Sequence, residues 1–292
     1  MNRADELLKK MGALPPLPGT AVKLIGLLND PRSSVQDMVE VIKYDQAVTG
    51  QVLRLCNSAF FGLPRAVTSL HDAMSALGMV KVLQVVMAVH TNTMLYRKQI
   101  GYGLERGMLW KHSVAVALAA SEIGQRVDEG KVNLLFTAAL LHDIGKVVLN
   151  EYVAADFLEI VRRVNMERIS FVEAENRVLG YSHAEIGGKV AEMWRLPEPI
   201  VRCVRHHHDP DGLGSPDELV DVVYLANCLC RFLGIGIGEE SSTAGADEAV
   251  LRRRGFEPGD MEEIGARTLA GLKRVEEMFA GAAEQPAEAA GG

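Results

Sequence analysis

The sequence predicts an all-helical protein, and three observations carry that prediction. Aromatic residues make up only 5% of the chain while Leu, Val, Ile, Ala and Met are plentiful, a bias that suits helix-on-helix packing better than a pleated sheet. Apolar residues recur at three- and four-residue spacing in nearly every segment, which is the period of one helix face. No segment sustains the strict alternation of a half-buried strand. At 292 residues, 48% hydrophobic and 24% charged, the chain can bury a sizeable core as one large domain or two modest ones.

Taken in order, residues 4–11 read as a short helix stopped by Gly12 and the cluster Pro15, Pro16 and Pro18. A helix from Thr20 carries Val22, Ile25, Leu27 and Leu28 and closes at Asn29-Asp30-Pro31. Ser34 can cap the next, whose stripe is Val35, Met38, Val39 and Ile42. Asp45 precedes a helix bearing Val48, Val52, Leu53 and Leu55 that ends near Asn57. Gly62 and Pro64 mark a turn, Leu70 to Leu77 is helical up to Gly78, and Val80 to Leu95 is a strongly apolar helix. Further helices are expected at 105–126, 132–150, 153–164, 170–177, 183–194, 198–208 and 217–234. Three stretches result: a helical N-terminal part over 1–104, a second helical part over 105–235, and a linker, short helix (Asp260 to Phe279) and low-complexity tail over 236–292.

Charge and cysteine usage narrow the function. The net charge is −7 and there is no basic block, so a nucleic-acid partner is not expected. The run Arg252-Arg253-Arg254 reads as solvated surface. Cys56, Cys203, Cys228 and Cys230 all lie in apolar helical patterns, where a thiol acts as a small hydrophobe, and no disulfide framework is suggested. The N-terminus lacks an apolar signal core, and no uninterrupted apolar run reaches the length of a membrane span. The expected setting is the cytosol, away from membranes. No receiver, kinase or cyclase segment is attached, so input is expected from a separate chain.

The informative feature is polar residues on apolar helix faces. His112 shares a face with Leu109, Val116, Ala119 and Ile123. His142-Asp143 ends an apolar run from Leu134 to Leu141 and is followed by Gly145-Lys146. Burying an ionised carboxylate there is costly, and a cation removes that cost. His183 sits in the first turn of a helix capped by Ser182 and Glu185, with Gly187 and Gly188 allowing close approach of a neighbour. On the helix opened by Pro197 and Pro199, the face of Ile200, Val201 and Val204 continues to His207 and His208, leaving His206 in solvent. A lone histidine on an apolar face is commonly just hydrogen-bonded. Several converging with a carboxylate form a ligand set for a divalent ion such as Fe, Mn, Zn or Ni.

The ordered set His112, His142-Asp143, His183 and His207-His208 resembles the HD metal-dependent phosphohydrolase superfamily, and His142-Asp143-Ile144-Gly145-Lys146 is similar to the core motif of its HD-GYP branch. Leu14-Pro15-Pro16-Leu17-Pro18, Asp45-Gln46-Ala47-Val48, Asn57-Ser58-Ala59-Phe60-Phe61-Gly62 and Ala76-Leu77-Gly78 resemble the HDOD family over about residues 14–235. The resemblance implies an N-terminal helical bundle packed on an HD-like bundle. It also implies metal ligation by His112, His142, Asp143, His183, His207 and His208, a catalytic role for Asp143, and a phosphate contact for Lys146. The chain departs from the pattern of active HD enzymes at three points. Asn227 replaces the final Asp and would be a weaker, neutral ligand, Met108 stands where some members carry an acidic residue, and no Gly-Tyr-Pro follows His207-His208.

Three functions compete. The first is a signalling module that acts through a protein partner, with the metal site serving structure or the sensing of a nucleotide or phosphate ligand. The second is a metal-dependent phosphohydrolase or cyclic-dinucleotide phosphodiesterase. The third is a metal-free scaffold.

Overall fold

The structure, a computed structural model, describes residues 19–28, 32–43, 46–57, 61, 63–236 and 246–283. The expected helix at 4–11, the Leu14–Pro18 stretch, Asp45, and most of the Ser58–Gly62 turn lie outside these residues. Among the described residues every regular element is a helix and no strand forms, as the helical periodicity requires.

The N-terminal half comprises α1 (Gly19–Leu28), α2 (Val35–Ile42), α3 (Gln46–Cys56), α4 (Leu70–Leu77) and α5 (Met79–Leu95). Ser34 caps α2 by accepting from the Asp37 amide, and Asp37 accepts from the Ser34 amide in return, a reciprocal capping box. Asn57, at the end of α3, pairs with the backbone of Val67 in both directions, at 2.9 and 2.7 Å. That staple closes the loop between α3 and α4. Gly78, at φ 82°, separates α4 from α5, a turn open to a residue without a Cβ.

A short 3-10 turn, Ile100–Tyr102, leads into the second half. This contains α6 (Met108–Val127), α7 (Val132–Leu141), α8 (Ile144–Val153), α9 (Phe157–Glu167), α10 (Phe171–Leu179), α11 (His183–Met193), α12 (Glu198–His206) and α13 (Glu218–Phe232). Helix α6 packs on α7 and α13, α11 packs on α8 and α12, and α5 lies against α6, α7 and α8. One continuous hydrophobic core runs from Ala21 through Leu272. Residues 129–150 are apolar enough to cross a bilayer by composition, but 78% of the apolar 18-residue stretch within them is buried inside the bundle.

Four expectations need correction. The helix expected over 132–150 is two helices broken at His142-Asp143. The helix expected over 198–208 stops at His206, so His207 and His208 lie beyond its last turn. The C-terminal helix is not short: α15 spans Pro258–Ala283, packs along α6 and touches α3. Arg253 and Arg254 do not point freely into solvent, because both pair with the buried Asp221 of α13; of the three, only Arg252 is exposed, where it pairs with Glu248. That pairing anchors the short helix α14 (Glu248–Arg253) to α13. The four cysteines are free and buried.

Candidate metal centre

The site forms where the α7–α8 break meets α6, α11, α13 and the end of α12. Helical backbone ends at Leu141, Asp143 takes φ −96° and ψ 13°, and α8 restarts at Ile144. The break aims two adjacent side chains at one centre. It is held in place by close packing at Gly145, where a Cβ would meet the His183 carbonyl oxygen at 1.9 Å and the Gly187 amide at 2.8 Å. The expected close approach at Gly187 is thus made to Gly145, while Gly188 faces Arg205.

Asp143 is buried at the centre and divides the site in two. Its Oδ1 faces His183 Nε2 at 3.3 Å and His207 Nε2 at 3.5 Å. Its Oδ2 faces Lys146 Nζ at 2.9 Å, His142 Nε2 at 3.5 Å and His112 Nε2 at 3.8 Å. His208 joins the first half, with its Nε2 3.1 Å from His183 Nε2. Two donor groups result, Asp143-His183-His207-His208 and His112-His142-Asp143, each with ligand atoms within 4.8 Å of one another. His206 is half-buried and belongs to neither.

The hydrogen bonds on the far side of each ring fix its tautomer. His142 Nδ1 meets the Ala139 carbonyl at 2.6 Å, His207 Nδ1 the Val204 carbonyl at 2.7 Å, and His112 Nδ1 the Ile235 carbonyl at 2.9 Å. His183 Nδ1 meets Glu175 Oε2 at 2.7 Å. These partners only accept, so each Nδ1 carries a hydrogen; the neutral rings of His112, His142 and His207 turn a bare Nε2 lone pair inward, and His183 does so once its second proton is displaced. His142 Nε2, His207 Nε2 and Asp143 Oδ1 are buried with no hydrogen bond, and Asp143 Oδ2 is held by the Lys146 ion pair at 2.9 Å. His112 Nε2 and Asn227 Oδ1 stand 3.1 Å apart, two acceptors facing each other unless the amide is turned.

Burial is the main cause that brings His112 and His142 down to about 4; His142 and Lys146 add to it at His112, and Asp143 opposes it at both rings. Burial likewise lowers His207 and His208. It would raise Asp143, but Lys146, His142 and the imidazoles of His183 and His207 hold that carboxyl well below its usual range. His183 is the exception: burial opposes its charge, yet Glu175 and Asp143 on either side bring it up to about 9.

These residues fit a divalent cation. Three bare imidazole lone pairs, those of His112, His142 and His207, converge with an ionised carboxylate, an arrangement that is unfavourable without positive charge between them. The separations of 3.1, 3.3 and 3.5 Å in the Oδ1 half match the roughly 3.3–3.4 Å edge of a tetrahedron with metal–ligand bonds of about 2.0–2.1 Å. The Oδ2 half differs, because Lys146 already supplies a positive charge and Asn227 only an amide. Lys146 is buried, with its ammonium turned toward Asp143 rather than an open phosphate position, and the ring of Tyr102 lies 5.8 Å beneath it.

Two site residues escape the reading of inward-facing histidines. Glu175 is fully buried and accepts from the His183 amide, from His183 Nδ1 and from the Tyr102 hydroxyl at 2.8 Å. Its signal was available, since Glu175 lies on the apolar stripe of α10 with Phe171 and Val178. Tyr102 sits in the short turn after α5 and carries no comparable pattern.

Comparison with known proteins places this arrangement in a family. A solved HDOD domain protein of unknown function from Geobacter sulfurreducens is 28% identical, with a TM-score of 0.72 over 97% of this chain and 94% of that one. A structure from Marinobacter aquaeolei VT8, provisionally assigned to signal transduction, is 24% identical with a TM-score of 0.74 over 95% of this chain and 60% of that one. An uncharacterised protein of Treponema pallidum (strain Nichols) is 24% identical over 232 residues, which is 79% of this chain, and the match spans only 44% of that relative. The HDOD domain model matches residues 14–210, and the chain belongs to the HDOD domain family.

Proposed function

We propose that this protein is a cytosolic signalling module whose helical core is organised around one tightly held divalent ion in the Asp143-His183-His207-His208 half of the site, and which acts through a protein partner. The observation that carries this reading is burial. Asp143, His183 and His207 of that half are each at most 1% exposed in their side chains and His208 is half-buried, so an ion there has protein donors on most sides. A buried ion with three imidazoles and a carboxylate organises helices far more readily than it admits a bulky phosphodiester. When bound, the ion supplies the positive charge that Asp143 and the imidazole lone pairs need. The chain's own residues do the rest: Asp143 ties α8 to α11 and the end of α12, and Lys146 neutralises the Oδ2 side.

A second reading, a metal-dependent phosphohydrolase, is favoured by the two donor groups that share Asp143, since paired ions either side of one carboxylate suit phosphoryl transfer. Asn227 and Lys146 weigh against it, because they weaken the second half for a cation.

The test is metal content and phosphodiesterase rate on protein grown with Fe, Mn and Zn supplied. The expected result is about one ion per chain, a lower melting temperature after chelation, and negligible metal-dependent hydrolysis of cyclic-di-GMP or of a simple phosphate diester. Efficient turnover would move the assignment to the enzyme. Absence of any ion would leave the metal-free scaffold.

A further inference from the structure

We infer that Glu175 is a positioning residue for the metal centre and that, through Tyr102, it ties the centre to the turn that follows the N-terminal helices. The inference rests on the metal-holding reading above. Glu175 Oε2 takes both the backbone amide of His183, at 3.0 Å, and its Nδ1, at 2.7 Å. One carboxylate oxygen therefore sets the first turn of α11 and the rotation of the ring at the same time. The other oxygen takes the Tyr102 hydroxyl at 2.8 Å. Tyr102 is buried, stands edge-on to the His183 ring with centroids 6.2 Å apart, and packs on Phe171 of α10.

No other partner in the site has this form. His112, His142 and His207 each lean on a backbone carbonyl, a neutral group fixed by its own helix or loop. Among these four, His183 is the one that leans on a side-chain carboxylate, from a different helix. A carboxylate is the stronger acceptor, makes the imidazole a better electron donor at Nε2, and moves only if α10 or Tyr102 moves. The turn Ile100–Tyr102 itself packs on α8, and the Gly101 amide donates to Asn150 Oδ1 at 2.9 Å. Displacement of that turn is thereby transmitted to Glu175 and on to the ligand atom of His183.

The experiment uses the full chain and Zn2+ in competition with a chelator of known affinity, on wild type, Glu175→Gln and Tyr102→Phe. Glu175→Gln keeps the shape and an acceptor but removes the charge; it should weaken Zn2+ binding roughly 10- to 100-fold. Tyr102→Phe, which leaves the carboxylate in place, should weaken it by about threefold to tenfold. The melting temperature of the metal-free Glu175→Gln protein separates positioning from structure: it should fall less than that of the loaded protein. The His183 side-chain 15N spectrum of metal-free wild type should report protonated Nδ1, a signature that shifts in Glu175→Gln. Unchanged Zn2+ affinity in Glu175→Gln overturns the inference and leaves the metal reading intact, as does an equal fall in both melting temperatures with affinity preserved. Failure of wild type itself to bind Zn2+, with the His183 signature present, removes the metal reading and with it the positioning role.

Discussion

Asp143 sets the terms at the scale of single residues. Both of its oxygens are buried, and what faces them is the Lys146 ammonium on one side and imidazole nitrogens on both. Replacing Asp143 with Ala should lower Zn2+ affinity by at least about 100-fold, since the shared ligand is lost; metal analysis after dialysis checks this. Asn227→Asp tests the opposite change. A second buried carboxylate beside His112 should destabilise the metal-free protein by about 1–3 kcal/mol and tighten metal binding, because an anion attracts a cation more strongly than an amide dipole does. Thermal melts with and without Zn2+ should therefore diverge more than in wild type. The sign of the pH dependence follows from His183, which Glu175 and Asp143 raise to about 9 against the effect of burial. At neutral pH an incoming ion displaces a proton from that ring, so affinity should rise with pH through neutrality. Calorimetry in buffers of different ionisation heat should find about one proton released per ion. The histidines and Asp143 were legible in the sequence because a polar residue on an apolar face is conspicuous. Their depth, the role of Tyr102 and the turn of Lys146 toward Asp143 depend on how separate helices meet, which a helical period does not encode.

At the scale of elements, the decisive feature is the break between α7 and α8. The run from Val132 to Asn150 has unbroken helical periodicity and contains no proline, so it reads as one helix. What breaks it is tertiary: the Gly145 backbone lies against His183 and Gly187. Gly145→Ala should force α8 and α11 apart, costing about 2–4 kcal/mol and most of the metal affinity. Gly188→Ala should cost less, since its added carbon meets mainly the adjustable Arg205 side chain. Denaturant titration of the two variants gives the comparison. A second element-scale contact joins α13 to α14 through Asp221, which is completely buried and held by Arg253 and Arg254. Asp221→Ala should destabilise the protein by about 3 kcal/mol, because two partly buried guanidinium groups lose their shared anion. Denaturation curves of Asp221→Ala and Arg252→Ala side by side should show the second close to wild type. The three arginines are indistinguishable in sequence; the carboxylate that separates them lies more than thirty positions earlier.

Over the whole molecule, helical class and the order of most elements follow from periodicity, capping serines and glycine stops. The way the parts join does not. Helix α15 returns from the far end of the chain to pack along α6 and to touch α3. Arg126 of α6 binds Asp260 at 2.8 Å and Glu263 at 2.6 Å on it, and Trp110 of α6 packs on Phe279. Such exposed ion pairs contribute little singly, so the attachment of α15 rests mainly on buried contacts such as Ile264 and Leu272. The single core from Ala21 to Leu272 implies that heating should melt N-terminal and C-terminal helices together. Chelation should lower that one transition rather than split it, a point that calorimetry can settle.

The two oxygens of Asp143 also have a consequence for concentration. Positive charge near Oδ2 is built into the chain as Lys146, whereas near Oδ1 it is the displaceable proton of His183 or an ion that takes its place. A second cation would have to crowd an ammonium that cannot leave, so the molecule would fill one place at low metal supply and resist filling the other. Its uptake of metal is then a single saturation curve that levels off at about one ion per chain.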